Sequence, residues 1–115
     1  MTEQPQGPVQ QVRWVGQAAV VDVAGEIDLN CSLDFQQALL RLMDAHPSRI
    51  VINLAGVSYM DSSGVASLVK LLSRVRKSGL SLRLAAMNDR VRSVFEITRL
   101  DSVFDIRPSE EEALA

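Results

Sequence analysis

The 115-residue sequence predicts an α/β fold, a mixed and mostly parallel sheet of four to five strands with an N-terminal hairpin and about three helices mainly on one face. Three observations carry that prediction. Segments of strand-like and helix-like periodicity alternate along the chain, and strand–helix–strand order implies right-handed crossovers in a parallel sheet. The first two strand-like runs, Gln11–Val15 and Ala18–Ala24, flank Gly16-Gln17, so they close as an antiparallel hairpin at one edge. The chain is also short, which leaves too few helices to cover both faces of the sheet.

Each element has a local reason. Residues 1–8 are polar with two prolines and read as a flexible N-terminal tail before a domain spanning 9–107. After the hairpin, Ser32 is placed to cap a helix running to about His46, with Phe35, Leu39 and Leu42 on its buried stripe and Ala38 and Met43 widening it; Pro47 stops it. Arg49–Leu54 is a β-branched run bounded by Pro47 and Gly56, suited to a buried strand. Val65, Leu68, Val69, Leu72 and Val75 mark the inner face of a second helix that ends near Gly79, a left-handed cap. Leu80–Ala85 alternates as a strand. Asn88 or Asp89 caps a third helix with Val91, Val94, Phe95 and Thr98 on one side, and Val103–Ile106 is a last short strand before an acidic end at 108–115. The uncovered sheet face then needs cover from the tail, the first strand or a partner, which leaves a monomer or a weak dimer.

Composition excludes several function classes. Apolar residues are 47% and charged residues 23%, a soluble globular balance, and a net charge of −2 gives no general attraction to nucleic acid or an anionic membrane. Residues 1–69 carry three basic against seven acidic residues, and residues 70–115 nine against seven. The basic excess lies in Lys70, Arg74, Arg76, Lys77, Arg83, Arg90 and Arg92, without interleaved aromatics; it reads as a solvated helix face rather than a nucleic-acid site. No apolar run approaches a membrane span, the N-terminus lacks the basic and apolar regions of a signal peptide, and the single Cys31 forms no internal disulfide. The expectation is a cytoplasmic chain with no direct membrane insertion.

Catalytic constellations are missing as well. One His and one Cys assemble neither a nucleophile–base pair nor a common zinc set, and His46 sits at a helix end where a cation suits the dipole. The glycines form neither of the usual nucleotide-binding loops. Met43, Met60 and Met87 read as core filler. The chain is expected to be no enzyme, with no cofactor and no metal.

Two segments remain, Gly25-Glu26-Ile27-Asp28 after the second strand and Tyr59-Met60-Asp61-Ser62-Ser63-Gly64-Val65 after the third. Both loops leave the carboxyl ends of strands, where open α/β sheets carry their functional groups. If the two strands are neighbours, Asp28 and Ser63 share one surface patch. The plainer account makes Asp61 or Ser62 an N-cap, Gly64 an easing of the turn, and Glu26 and Asp28 solvated loop residues. The alternative uses the unpaired N–H groups and positive dipole of the helix start, which favour a phosphate on a hydroxyl there.

These two segments, followed by Asn88-x-x-Val91-Arg92-x-x-Phe95-x-Ile97-x-x-Leu100-x-x-x-Phe104, resemble the anti-sigma factor antagonist family over residues 9–107. Its members are single STAS domains (sulphate transporter and anti-sigma factor antagonist), with a four- to five-stranded sheet and helices to one side. The resemblance implies that Ser63 is a phosphoacceptor, with Ser62 the neighbouring hydroxyl. It implies that Asp28, with Glu26, Asp61, Ser62 and Gly64, binds a partner. That partner would be an anti-sigma factor that is also a GHKL-type serine kinase, using ATP and Mg²⁺, and a metal-dependent protein phosphatase would remove the phosphate. Ala66 and Ser67 depart from the glycine common after the Ser-Ser-Gly of this family. Other single STAS domains serve as accessory subunits of ATP-driven lipid transporters or in stress-signalling assemblies.

Overall fold

A computed structural model describes residues 7–115, and in these residues a five-stranded sheet of order β1-β2-β3-β4-β5 is antiparallel only at its first pair. The strands are β1 (Val9–Val15), β2 (Ala18–Ile27), β3 (Arg49–Met60), β4 (Ser81–Ala85) and β5 (Asp105–Arg107). Gly16 turns the hairpin at φ 62°, the left-handed value that favours glycine. The tail expected at residues 1–8 lies outside the described residues up to residue 6. Pro8 is already buried, and its carbonyl accepts from the Ala24 amide at 3.0 Å.

Helices α1 (Ser32–Leu42), α2 (Ser62–Lys77) and α3 (Asp89–Ile97) cover one face. Their buried residues Phe35, Leu39, Leu68, Leu71, Val91 and Phe95 join Val21, Val23, Ile50, Ile52, Leu54 and Leu84 from the sheet in one core. Phe95 meets Phe104 edge to face with ring centroids 5.4 Å apart, closing the end of that core under β5. Met60 is fully buried, and Met43 and Met87 pack against the core as partly buried residues.

Several boundaries differ from expectation, each for a physical reason. The strand expected at Arg49–Leu54 runs six residues further, to Met60, and β2 runs to Ile27 rather than Ala24. Gly56 does not end the strand; it permits it. A Cβ at that position would stand 2.9 Å from the Ala24 Cβ and 3.0 Å from the Val23 carbonyl, so only a glycine lets the two backbones stay paired there. Ser32 does not cap α1. Cys31 occupies the cap position without a side-chain bond to the helix amides, and the Asp28 carbonyl accepts from the Ser32 amide at 2.9 Å instead. The helix ends at Leu42, then tightens into a 3₁₀ turn to His46, whose φ of 52° stops it one residue before Pro47. In α2 the inner stripe holds Leu71 rather than Val69, which is 40% exposed. The helix closes as expected at Gly79, with the Leu80 amide reaching back to the Val75 carbonyl at 3.0 Å. Of the two proposed caps for α3, Asn88 is the one used, accepting from the Val91 amide at 2.8 Å.

A fourth helix was not anticipated. Residues 108–115 carry α4 (Glu110–Leu114), capped by Ser109, and it lies across the sheet face that the other helices leave open. Ala113 packs there with Val20, Val51 and Ala85. Polar contacts complete the cover. Arg13 grips Asp22 through two bonds of 2.7 and 2.8 Å and also bonds Glu110, to which Asn53 donates at 2.9 Å. Arg49 and Arg83 donate to the Leu114 and Ala113 carbonyls at 2.9 and 3.0 Å.

These ion pairs set a pH dependence. Arg13 holds the Asp22 carboxyl below its usual range, and Arg13 with Asn53 does the same for Glu110. A carboxyl whose native pKa is depressed contributes stability above its unfolded value and loses it as pH falls through the native value. The urea midpoint should therefore hold level above about pH 5 and fall below about pH 4. Glu110→Gln should blunt that fall and lower stability by about 1–2 kcal/mol at neutral pH. A midpoint insensitive to both changes would show that α4 is not held by this network.

Candidate functional site

The parallel pairing of β2 and β3 continues to their last residues, Glu26 with Tyr59 and Ile27 with Met60. Asp28 and Asp61 thus leave the sheet at adjacent strand ends, and the Asp61 amide donates to the Ile27 carbonyl at 3.0 Å. Glu26 remains in β2, exposed, rather than in the loop expected for it.

Asp61 is the N-cap of α2. Its Oδ1 accepts from the Ser63 amide at 2.9 Å, from the Gly64 amide at 3.3 Å and from the Ser63 hydroxyl at 2.5 Å. The Ser63 hydroxyl first, then the Ser63 and Gly64 amides and the nearby Leu29 amide of the loop that leaves β2, hold the Asp61 carboxyl below its usual range, so it stays a carboxylate at neutral pH. One charged side chain therefore satisfies orphan amides of α2 and faces the neighbouring loop.

The two hydroxyls at the helix start differ. Ser62, the first residue of α2, is exposed, and its hydroxyl makes no hydrogen bond among the described residues. Ser63 is half-buried and aimed at Asp61. Asp28 is half-buried too; its Oδ1 accepts from the Asn30 amide at 2.9 Å, and its carbonyl receives the Cys31 and Ser32 amides. Gly64 is buried, and a Cβ there would come within 2.7 Å of Met60 Cγ and 2.8 Å of Ile27 Cγ2. The helix start thus presses directly onto the last residues of both strands.

Ser67 escaped the sequence reading. It is 3% exposed, and its hydroxyl lies 3.1 Å from both the Ser63 and the Ser32 carbonyls, joining the first turns of α1 and α2. Its signal was a polar residue on the apolar stripe between Gly64, Leu68 and Leu71. Asn88, read only as a cap, also donates to the Val57 carbonyl of β3 at 3.1 Å.

The basic residues from Lys70 to Arg92 do not form one patch. Arg83 pairs with Asp105 and Arg92 with Glu96, whereas Lys70, Arg74 and Lys77 line a shallow groove on the outer face of α2 with Ala66, Val69 and Ser73. Among the described residues no helix is long and apolar enough to cross a membrane, and no group of three or more His, Cys, Asp or Glu side chains is placed to hold a metal ion.

The sequence profile of the STAS domain matches residues 10–113. The chain is 35% identical over 91 residues to an anti-sigma-B factor antagonist of Bacillus subtilis, an alignment covering 79% of this chain and 83% of that one. Its fold is similar to the crystal structure of an anti-sigma factor antagonist from Mycobacterium paratuberculosis, with a TM-score of 0.83, 27% identity and coverage of 90% of this chain and 87% of that one. It is also similar to the Bacillus cell fate determinant SpoIIAA in its phosphorylated form, with a TM-score of 0.70, 23% identity and coverage of 90% and 95%.

Two substitutions test the packing of the site. Gly64→Ala should cost about 1–3 kcal/mol, because Met60 and Ile27 must move to admit the methyl group. Asp61→Ala should cost about 0.5–2 kcal/mol through the lost cap. Urea unfolding checks both, and wild-type midpoints for the pair would contradict a helix start packed and capped in this way.

Proposed function

The chain belongs to the STAS-domain family and within it to the anti-sigma factor antagonists, and from that premise we propose that it is a phosphorylation-gated antagonist working by partner switching. In its unphosphorylated form it binds an anti-sigma factor that is also a GHKL-type serine kinase, and so releases a sigma factor. Ser63 is the phosphoacceptor, and Asp28 is the docking residue beside it. Glu26, Asp61, Ser62 and Gly64 shape the surface that the partner covers. The chain acts as substrate and binding partner rather than as an enzyme, carries no cofactor of its own, and works in the cytoplasm.

The observation that carries this reading is the Ser63 hydroxyl, held by Asp61 at the amide-rich start of α2 and one strand away from Asp28. Ser62, on the same turn, has no such partner, which favours Ser63 as the ordered acceptor. The kinase brings ATP, Mg²⁺ and the base. The Ser63 oxygen takes the γ-phosphoryl group, ADP leaves, and the hydroxyl proton passes to that base.

Electrostatics supply the switch. The phosphate adds about −1.5 to −2 charges at neutral pH and removes the hydroxyl donor from Asp61. The free protein tolerates this, because the helix start offers amides and dipole to an anion and water reaches the exposed side. A complex must desolvate the same dianion between Asp61 and Asp28. A penalty of about 2.7 kcal/mol weakens binding about a hundredfold, sufficient to release the kinase. A metal-dependent phosphatase then restores the hydroxyl.

Affinity capture from source-cell lysate with wild-type, Ser63→Ala and Ser63→Glu baits tests the reading. Wild type and Ser63→Ala should retain a GHKL-type kinase, and Ser63→Glu should lose it while keeping its helical circular dichroism. Equal retention of one partner by all three baits, such as a transporter subunit, would overturn phosphorylation gating.

A further inference from the structure

Two leucines stand out at the turn that joins β2 to α1. Leu29 is 78% exposed and Leu33 is 62% exposed, although every other leucine of the chain is buried or half-buried. The Asp28 carbonyl accepts both the Cys31 and the Ser32 amides, so the segment already turns helically before α1 begins, and Leu29 and Leu33 lie one turn apart. Exposure of a single leucine needs no explanation, but two together raise the question of what they meet.

Their position supplies the answer. The Asp61 amide, on the residue whose carboxylate receives the Ser63 hydroxyl, donates to the Ile27 carbonyl at 3.0 Å, two residues before Leu29. Ser67 links the Ser32 carbonyl, one residue before Leu33, to the Ser63 carbonyl. Asp28, the residue before Leu29, holds the turn through its own carbonyl and carboxylate. The leucine turn is thus fastened on two sides to the acceptor turn, and a protein that covers Ser63 and Asp28 must also cover Leu29 and Leu33. The bonds to the flanking Asp28 and Ser32 carbonyls fix the backbone, so little is lost in ordering the apolar side chains on binding. Apolar anchors inside a polar rim are where interfaces concentrate their affinity.

We propose that Leu29 and Leu33 are the apolar anchors of this chain for its kinase, seated in a hydrophobic groove that flanks the kinase's phosphoryl-transfer site. The inference rests on the reading of Ser63 and Asp28 given above. It assigns two tasks to neighbouring residues. The leucines offer the same apolar contact in both phosphorylation states, whereas Ser63 and Asp28 decide whether the complex survives. Because the leucines make no contact with the transferred phosphoryl group, they contribute equally to ground and transition states.

The test uses the kinase recovered with the Ser63→Ala bait and the full-length chain carrying Leu29→Ala, Leu33→Ala or the double Leu29→Ser/Leu33→Ser change. Ile97→Ala is the control, since Ile97 is 82% exposed on α3. Calorimetry should give at least about a tenfold loss of affinity for the double variant and a smaller loss for each single one, with unchanged thermal midpoints. Phosphorylation should show a raised KM and an unchanged kcat, and Ile97→Ala should match wild type in both assays. Affinity of the double variant within twofold of wild type, alongside lost binding by Ser63→Glu, would overturn the anchor role and leave the acceptor reading standing. An equal loss in Ile97→Ala would also overturn it. Undiminished binding by Ser63→Glu, or a capture without any GHKL-type kinase, would overturn the acceptor reading and this inference with it.

Discussion

The rest of the molecule depends on the parallel pairing of β2 and β3 being carried to the very ends of both strands. Between Leu54 and Met60 the chain advances by about 20 Å as a strand, and β2 follows it to Ile27. Had β3 ended at Leu54, the loop bearing Ser63 and the loop bearing Asp28 would have had no common support. The pairing survives two register shifts, at Asp22/Ala24 and Gly25/Glu26, because small residues sit where the backbones crowd. Gly56 against Ala24 is the clearest case, and Gly64 repeats the device where α2 meets Ile27 and Met60. Close approach, rather than unusual dihedral angles, accounts for both glycines.

Asp61 turns this support into a site. Its carboxylate answers the electrostatic demand of a helix start, where unpaired amides need an acceptor. Capping and switching are therefore not competing accounts of Asp61-Ser62-Ser63-Gly64. The same field that makes a capped helix start stable makes it tolerant of a further anion on Ser63. Removing the hydroxyl donor still leaves the carboxylate two amides.

The order of elements, the hairpin, the amphipathic helices and the cap at Gly79 could be read from local pattern, with the caps narrowed to Asp61 or Ser62 and to Asn88 or Asp89, because each depends on residues within about one turn of one another. Proximity of Asp28 and Ser63 was readable only as a condition, that their strands be neighbours, and the sheet order meets it. What escaped was non-local. Gly56 looks like a strand terminator until Ala24 is seen opposite it. Ser67 looks like an ordinary helix serine until the Ser32 carbonyl is found 3.1 Å away. The segment Glu110–Leu114 has one buried side chain, Ala113, so no periodicity betrays a helix. Its anchors, Arg13 and Asn53, lie 97 and 57 residues away in the chain.

The two faces of the sheet divide the labour. The face covered by α1, α2 and α3 is apolar and closely packed, and it supports the turn bearing Ser63 through Gly64, Met60, Ile27 and Ser67. The opposite face is held by Arg13, Asp22, Asn53 and Glu110 under a five-residue helix, and these lie toward the middle of the strands rather than at their carboxyl ends. The phosphate proposed for Ser63 would therefore act on a surface whose backbone is fixed by packing beneath it. Displacing α2 would open the contacts around Gly64 and Ser67 that bury its first turn, which favours a switch that leaves the turn in place. The proposed switch consequently belongs to electrostatics at the interface: the same backbone faces the partner in both states, and only the charge and the hydroxyl donor change.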